Sequence, residues 1–210
     1  ATRRCPASPL LQPELSVTHQ TVIVLDFGSQ YTQLIARRLR ELSVYSEIVP
    51  HTMPAAEIAK RQPVGIILSG GPKSVSDPGA PMVDAGIFDI GVPVMGICYG
   101  MQLLTHVLGG SVGRADQREF GHAMVSPQGS CRLFEGLPDA IRVWASHGDF
   151  VAAAPPGFEV TATSANAPVA GMQNTARRIY GILFHPEVVH TDHGAEILSN
   201  FAFGNRAIAQ

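Results

Sequence analysis

The sequence predicts an α/β protein built on an open, mostly parallel, doubly wound sheet with an antiparallel extension. Three observations predict it. Short apolar runs at residues 21–25, 65–68, 92–97 and 179–184 have the composition of strands buried on both faces. Segments with helical spacing stand between the earlier runs, as right-handed crossovers in a parallel sheet require. Between residues 111 and 170 the rhythm changes to alternating runs broken by Pro and Gly, the pattern of antiparallel strands.

The elements follow in order. Residues 1–20 hold Arg3-Arg4, Pro6, Pro9 and Pro13, with no apolar stretch long enough for a secretory signal. They are expected to be a disordered tail or an appended remnant, with Cys5 inert. Residues 21–25 form a strand and 26–30 its exit turn. Leu34, Ile35, Leu39 and Leu42 then mark the inner face of a helix whose outer face carries Arg37, Arg38 and Arg40. Residues 44–49 read as a second strand, and 55–61 as a short helix ended before Pro63. Residues 65–68 are a third strand, closed by Ser69-Gly70-Gly71-Pro72. Residues 82–88 are expected to be helical. The run 92–97 is a fourth strand, after which Met101, Leu103, Leu104, Val107 and Leu108 recur at helical spacing until Gly109-Gly110. In the extension, 141–144 and 158–162 are the clearest strands. Residues 179–184 are the last strand and 194–203 a closing helix. One domain is therefore expected over 21–204, with 205–210 a C-terminal tail.

Bulk properties narrow the function. A chain of 210 residues buries one full core. A formal charge of −2 gives no footprint for nucleic acid or an anionic membrane. No apolar run approaches the roughly 18 residues of a membrane helix. Cys5, Cys98 and Cys131 are odd in number and lack metal-ligand spacing, so a reduced, cytoplasmic compartment and no metal site are expected.

The chemistry centres on Gly96-Ile97-Cys98-Tyr99-Gly100, at the switch from strand to helix. This G-x-C-x-G is the cysteine form of the nucleophile elbow. Its glycines suit a turn too tight for a β-carbon, and the helix N-terminus favours thiolate over thiol at Cys98. A cysteine in an apolar run is more often a core residue; the flanking glycines argue for a nucleophile. His185-Pro186-Glu187 follows the last apolar strand. Pro186 keeps the segment extended, and residues two apart then project to one side, so Glu187 can orient His185 towards the sulfur. Alone, such a triplet is more often a surface pair. Ser69-Gly70-Gly71-Pro72 offers open backbone N–H groups which, with that of Tyr99, suit an oxyanion hole; no P-loop Lys-Ser/Thr follows it. In an open sheet, ligands bind outside the carboxyl ends of the strands, and all these turns fall there, together with residues 26–30.

With Gly96-Ile97-Cys98-Tyr99-Gly100-Met101-Gln102 and His185-Pro186-Glu187, the chain resembles the class I (triad) glutamine amidotransferases, which have a flavodoxin-like fold. Further segments resemble the glutaminase domains of that family's GMP synthase branch. They are residues 25–38, Arg118-Glu119-Phe120-Gly121, Ser146-His147-Gly148-Asp149 and residues 185–191, so the likeness runs from about Thr21 to Phe203. The resemblance implies that Cys98 attacks the side-chain amide of L-glutamine, that His185 passes a proton to the departing ammonia, and that Glu187 holds His185. It makes Gly71 and Tyr99 the oxyanion donors. It places Gly70, Gln102, Ser146, His147, Gly148 and Asp149 around the substrate. It also implies a partner, an ATP-pyrophosphatase synthetase domain or subunit that uses ATP and Mg2+ to aminate XMP to GMP, with no cofactor in the glutaminase domain. That synthetase region, with its Ser-Gly-Gly-Val-Asp-Ser-type loop, lies outside these 210 residues.

Other readings stay open at this stage. A glutaminase serving another amidotransferase, or a peptidase or γ-glutamyl hydrolase on the same fold, needs the same elbow and histidine. A regulatory binding subunit without chemistry needs neither. His51, His106 and His122 read as isolated, Cys131 as unactivated and Trp144 as core. Asp149, His190 and Thr191 read equally as loop caps or as contacts to a partner.

Overall fold

A computed structural model describes residues 20–204, with backbone only at 115–119. The expectations for the two tails and Cys5, and for the side chains of Arg118 and Glu119, lie outside the described residues.

The first half alternates strand and helix: β1 (Thr21–Asp26), α1 (Thr32–Glu41), β2 (Tyr45–Pro50), α2 (Ala55–Lys60), β3 (Gly65–Leu68), β4 (Val94–Ile97) and α3 (Tyr99–Val107). The second half runs β5 (Ser111–Pro127), β6 (Ile141–Ala153), β7 (Glu159–Ser164), β8 (Gly171–Asn174), β9 (Ile179–Ile182) and α4 (Gly194–Gly204). All nine strands form one sheet in the order β2-β1-β3-β4-β9-β8-β7-β5-β6. The pairs from β2 to β9 are parallel and those from β9 to β6 antiparallel. The mixed sheet predicted from the change of rhythm is the one observed.

The apolar runs explain the layout. Val22 to Leu25, Ile66 to Leu68 and Ile97 are wholly buried, which only a strand covered on both faces achieves. At about 1.5–3 kcal/mol per large apolar side chain, this central block supplies much of the folding drive. The last strand joins next to β4 rather than at the edge. That placement sets the nucleophile turn beside the histidine turn.

Several expectations are corrected. Residues 82–88 are not an α-helix: they run extended into a single 3-10 turn at Ala85–Asp89. The Asp84 carboxylate caps Gly86 N–H and also reaches Ala55 N–H on α2, so the segment is tied to its neighbour rather than to itself. On α1 the buried face is Thr32, Ile35, Ala36 and Leu39, with Leu34 and Leu42 only half covered. Arg38 is not on an outer face alone, since its Nε donates to the Glu187 carbonyl at 3.1 Å. Trp144 is only half-buried, because odd-numbered residues of β6 face the core. Its ring instead packs against His122 and His190 (centroids 5.4 and 4.9 Å), so His122 is exposed but not isolated. His51 stacks on Phe27 at 5.4 Å, and His106 is exposed. Among the described residues no helix is long and apolar enough to cross a membrane.

Candidate active site

Cys98 sits between β4 and α3 with φ +52° and ψ −109°, a backbone region that costs a side-chain-bearing residue on the order of 1–3 kcal/mol. The glycines make this turn possible. A Cβ on Gly96 would stand 2.5 Å from a Leu104 methyl, and one on Gly100 would meet the Leu68 backbone. The Cys98 N–H still donates to the Ile182 carbonyl (2.9 Å), so pairing between β4 and β9 runs up to the nucleophile itself. Cys98 is 4% exposed, and its sulfur lies 3.6 Å from the Ser146 carbonyl oxygen.

Beyond β9 the chain does not stay extended as expected: it bends at Leu183 and Phe184 and turns at Pro186 and Glu187, and this turn brings the carboxylate back to the imidazole. His185 Nδ1 and Glu187 Oε1 are 2.7 Å apart, with the two residues 3% and 0% exposed. Glu187 Oε2 is buried without a hydrogen-bond partner, so His185 is the neutralising group this carboxylate touches. Burial alone pushes the imidazole's pKa down. The Glu187 charge, then that of Cys98, and hydrogen bonds to both outweigh burial and leave His185 well above its ordinary 6.5. With Nδ1 on Glu187, the ring turns Nε2 to the sulfur. The His185 backbone is fixed as well: its N–H donates to the Trp144 carbonyl (3.0 Å), and its carbonyl accepts from Thr191 Oγ1 (2.5 Å). Thr191 Oγ1 accepts in turn from Trp144 N–H at 2.9 Å, which gives this threonine a local structural task.

The turn after β3 lies against both groups. A Cβ on Gly70 would stand 3.0 Å from His185 Cε1, and one on Gly71 3.2 Å from the Tyr99 ring and 3.0 Å from the Phe27 carbonyl. Ser69 Oγ accepts from Phe27 N–H (3.1 Å) and donates to the Gly70 carbonyl (2.9 Å), which ties the exits of β1 and β3 together. The Tyr99 N–H, first in α3, has no carbonyl four residues behind it within the helix.

A cavity of about 500 Å3 opens beside the sulfur, walled by Gly71, Gln102 and all four of Ser146, His147, Gly148 and Asp149. Gly70 is not in that wall; it clears space for the imidazole. Gln102 is 3% exposed and donates Nε2 to the Asp149 carbonyl (3.1 Å), bracing the far wall. At the mouth, Arg114 and Asp77 form an ion pair at 2.7 Å beside Phe120, which is 64% exposed. Arg114 and Asp77 were not picked out from the sequence; Phe120 and Tyr31, whose ring stands against His185 (centroids 5.2 Å), lie in segments singled out there but were given no role in the site. An aromatic at a solvent-facing strand position was the one available signal, at Phe120. Cys131 is a separate, buried thiol whose pKa burial pushes up. Among the described residues no group of three or more His, Cys, Asp or Glu stands placed to hold a metal ion.

Residues 23–205 match the family model of the class-I glutamine amidotransferases. A glutamine-hydrolysing GMP synthase of Bacillus thuringiensis is 54% identical over 190 residues, 90% of this chain and 37% of that protein. One from Bacillus cereus is 55% identical over 186 residues, 89% of this chain and 36% of that one. The chain thus spans little more than a third of the length of these relatives. Among solved structures, a candidate GMP synthase subunit from Thermoplasma acidophilum superposes with a TM-score of 0.79 at 35% identity, covering 87% of this chain and 92% of that one. A glutamine amidotransferase from Thermotoga maritima shares the fold, with a TM-score of 0.64 at 23% identity over 81% and 77% of the two chains. A family model over residues 23–205, and relatives above 50% identity over 186–190 residues, establish that the chain belongs to the class-I glutamine amidotransferase family.

Proposed function

We propose that the chain hydrolyses L-glutamine to glutamate and ammonia through a thioester on Cys98, and that the ammonia serves a synthetase converting XMP to GMP. The observation that carries the first part is the buried line from Glu187 through His185 to the Cys98 sulfur, opening on a cavity. In that line the imidazole holds a proton and the sulfur attacks the glutamine amide carbon. The carbonyl oxygen becomes an oxyanion facing the N–H groups of Gly71 and Tyr99. The intermediate collapses, the C–N bond breaks, and His185 Nε2 gives its proton to the departing ammonia. Water then attacks the thioester carbon and passes a proton back to His185. The C–S bond breaks and glutamate leaves. Glu187 holds the ring and balances its charge throughout. Gln102 and the wall from Ser146 to Asp149 hold the amino-acid end of the substrate.

The synthetase half of the proposal rests on the GMP synthases at 54–55% identity. ATP and Mg2+ act only in that partner domain or subunit, the glutaminase steps need neither, and the setting is cytoplasmic. Ammonia release from glutamine, compared between wild type and Cys98→Ala, tests the hydrolysis. Release confined to the wild type is expected, and equal release from both refutes it. GMP formation from XMP, ATP and glutamine on adding a synthetase partner tests the delivery.

A further inference from the structure

Two recesses, not one, meet at the nucleophile. The first is the cavity described above. The second, of about 360 Å3, is walled by Gly28, Ser29, Gln30, Tyr31 and His185. The two share Gly71, Pro72, Cys98 and Ser146, and differ in the rest of their walls: Gln102 and Asp149 border only the first, His185 only the second. We infer that the second recess is the port through which ammonia leaves the acyl-enzyme and the attacking nucleophile enters, while glutamine occupies the first. The inference rests on the glutaminase reading above.

The argument is one of proton transfer and space. The departing nitrogen takes its proton from His185 Nε2, so at that moment it lies against the imidazole, on the floor of the second recess. Deacylation runs the same step backwards with water in place of ammonia, so the nucleophile must occupy the same place. A glutamyl group in the first recess closes that side. The wall of the second is held firmly. The Asp26 carboxylate accepts from both Gly28 N–H (2.9 Å) and Thr32 Oγ1–H (2.8 Å), and Ser29 Oγ accepts from Tyr31 N–H (3.0 Å). This locks the turn after β1 and sets the Tyr31 ring edge-on to His185, at an interplanar angle of 70°. Gln30 beside it is exposed at the rim. The turn at residues 26–31, at the carboxyl end of a strand, thereby becomes the wall of the port.

The test separates the two recesses. A diazoketone analogue of glutamine, 6-diazo-5-oxo-L-norleucine, reports access to Cys98 through the glutamine recess by its rate of alkylation. Hydroxylamine added during glutamine turnover reports access to the thioester: its nitrogen attacks the same carbon, loses a proton to His185, and gives γ-glutamyl hydroxamate instead of glutamate. Both nucleophiles use the same base, so their product ratio cancels changes in His185 itself. Gln30→Trp narrows the rim and is expected to lower the hydroxamate-to-glutamate ratio roughly tenfold, the discrimination a methylene-sized obstruction produces. Tyr31→Ala opens it and is expected to raise the ratio. Alkylation is expected to keep the wild-type rate in Gln30→Trp, whose side chain stands exposed at the rim. Unchanged ratios in both variants, or alkylation slowed by Gln30→Trp as much as the ratio falls, overturn the port. A wild type that forms no adduct at Cys98 with either reagent overturns the glutaminase reading instead.

Discussion

Replacing Glu187 with Gln preserves the shape of a wholly buried side chain and removes its charge. The wild-type carboxylate lies 2.7 Å from His185 Nδ1 with both groups out of water, so solvent does little to screen the pair. A charge-assisted bond in such a place is worth about 1.5–3 kcal/mol, and stripping one member of a buried pair costs about 3–5 kcal/mol. Taking about 3 kcal/mol as the share felt in the transition state, at about 1.4 kcal/mol per decade, kcat/KM should fall roughly a hundredfold. The pH profile should move as well. Without the carboxylate, burial lowers the imidazole's pKa and only the sulfur opposes it. The imidazolium needed for ammonia departure is then lost earlier as pH rises, so the alkaline limb of kcat/KM shifts to lower pH. Stability follows the same sign. A folded-state pKa above 6.5 contributes stability that is complete below 6.5 and fades as pH rises through the folded value. The wild-type melting temperature should decline over that range, and the Glu187→Gln curve should be flatter. Steady-state ammonia release from pH 5 to 10, with thermal melts beside it, measures all three. A loss below about threefold with an unmoved alkaline limb would contradict the role given to Glu187.

Other perturbations separate strain, space and binding. Cys98→Gly should be more stable than Cys98→Ala by about 1 kcal/mol in urea unfolding, against the usual order, because the turn holds φ at +52°; an Ala variant of equal or greater stability removes the strain argument. Gly70→Ala places a methyl 3.0 Å from His185 and should cut kcat while leaving the melting temperature within a few degrees. Gly96→Ala, with a methyl 2.5 Å from Leu104 and 2.6 Å from the Gly100 backbone, should instead cost on the order of 1–3 kcal/mol or more of stability. Gln102→Ala removes the brace on Asp149 and should raise KM about tenfold with a smaller change in kcat, read from initial-rate kinetics.

Much of this architecture was legible in the sequence where local chemistry and burial agree. The strands at Val22 to Leu25 and Ile66 to Leu68 are apolar throughout because both faces are covered, and no other element fits so short a run. The elbow around Cys98 was legible because two glycines are obligatory there for contact reasons. The pairing of His185 with Glu187 was legible from the triplet after an apolar strand, but its backbone was not: Pro186 and Glu187 form a turn rather than the extended segment expected. What misled were residues whose partners are distant in the chain. Asp84 bonds Ala55 on another element, so a helix at residues 82–88 gives way to one 3-10 turn. Trp144 finds its cover in His122 and His190 rather than in the core, and nothing in the alternation of β6 names those partners. Arg38 looks like any surface arginine until the sheet brings Glu187 within 3.1 Å of it.

The central claim, that a thioester forms on the elbow cysteine, is open to direct observation. Mixing the chain with glutamine, quenching in acid within milliseconds to seconds, and mapping the intact adduct by mass spectrometry should place a glutamyl group on the peptide containing Cys98. The group should be absent from Cys98→Ala. A glutamyl group on Cys131, or hydrolysis proceeding with Cys98 never acylated, would contradict the account.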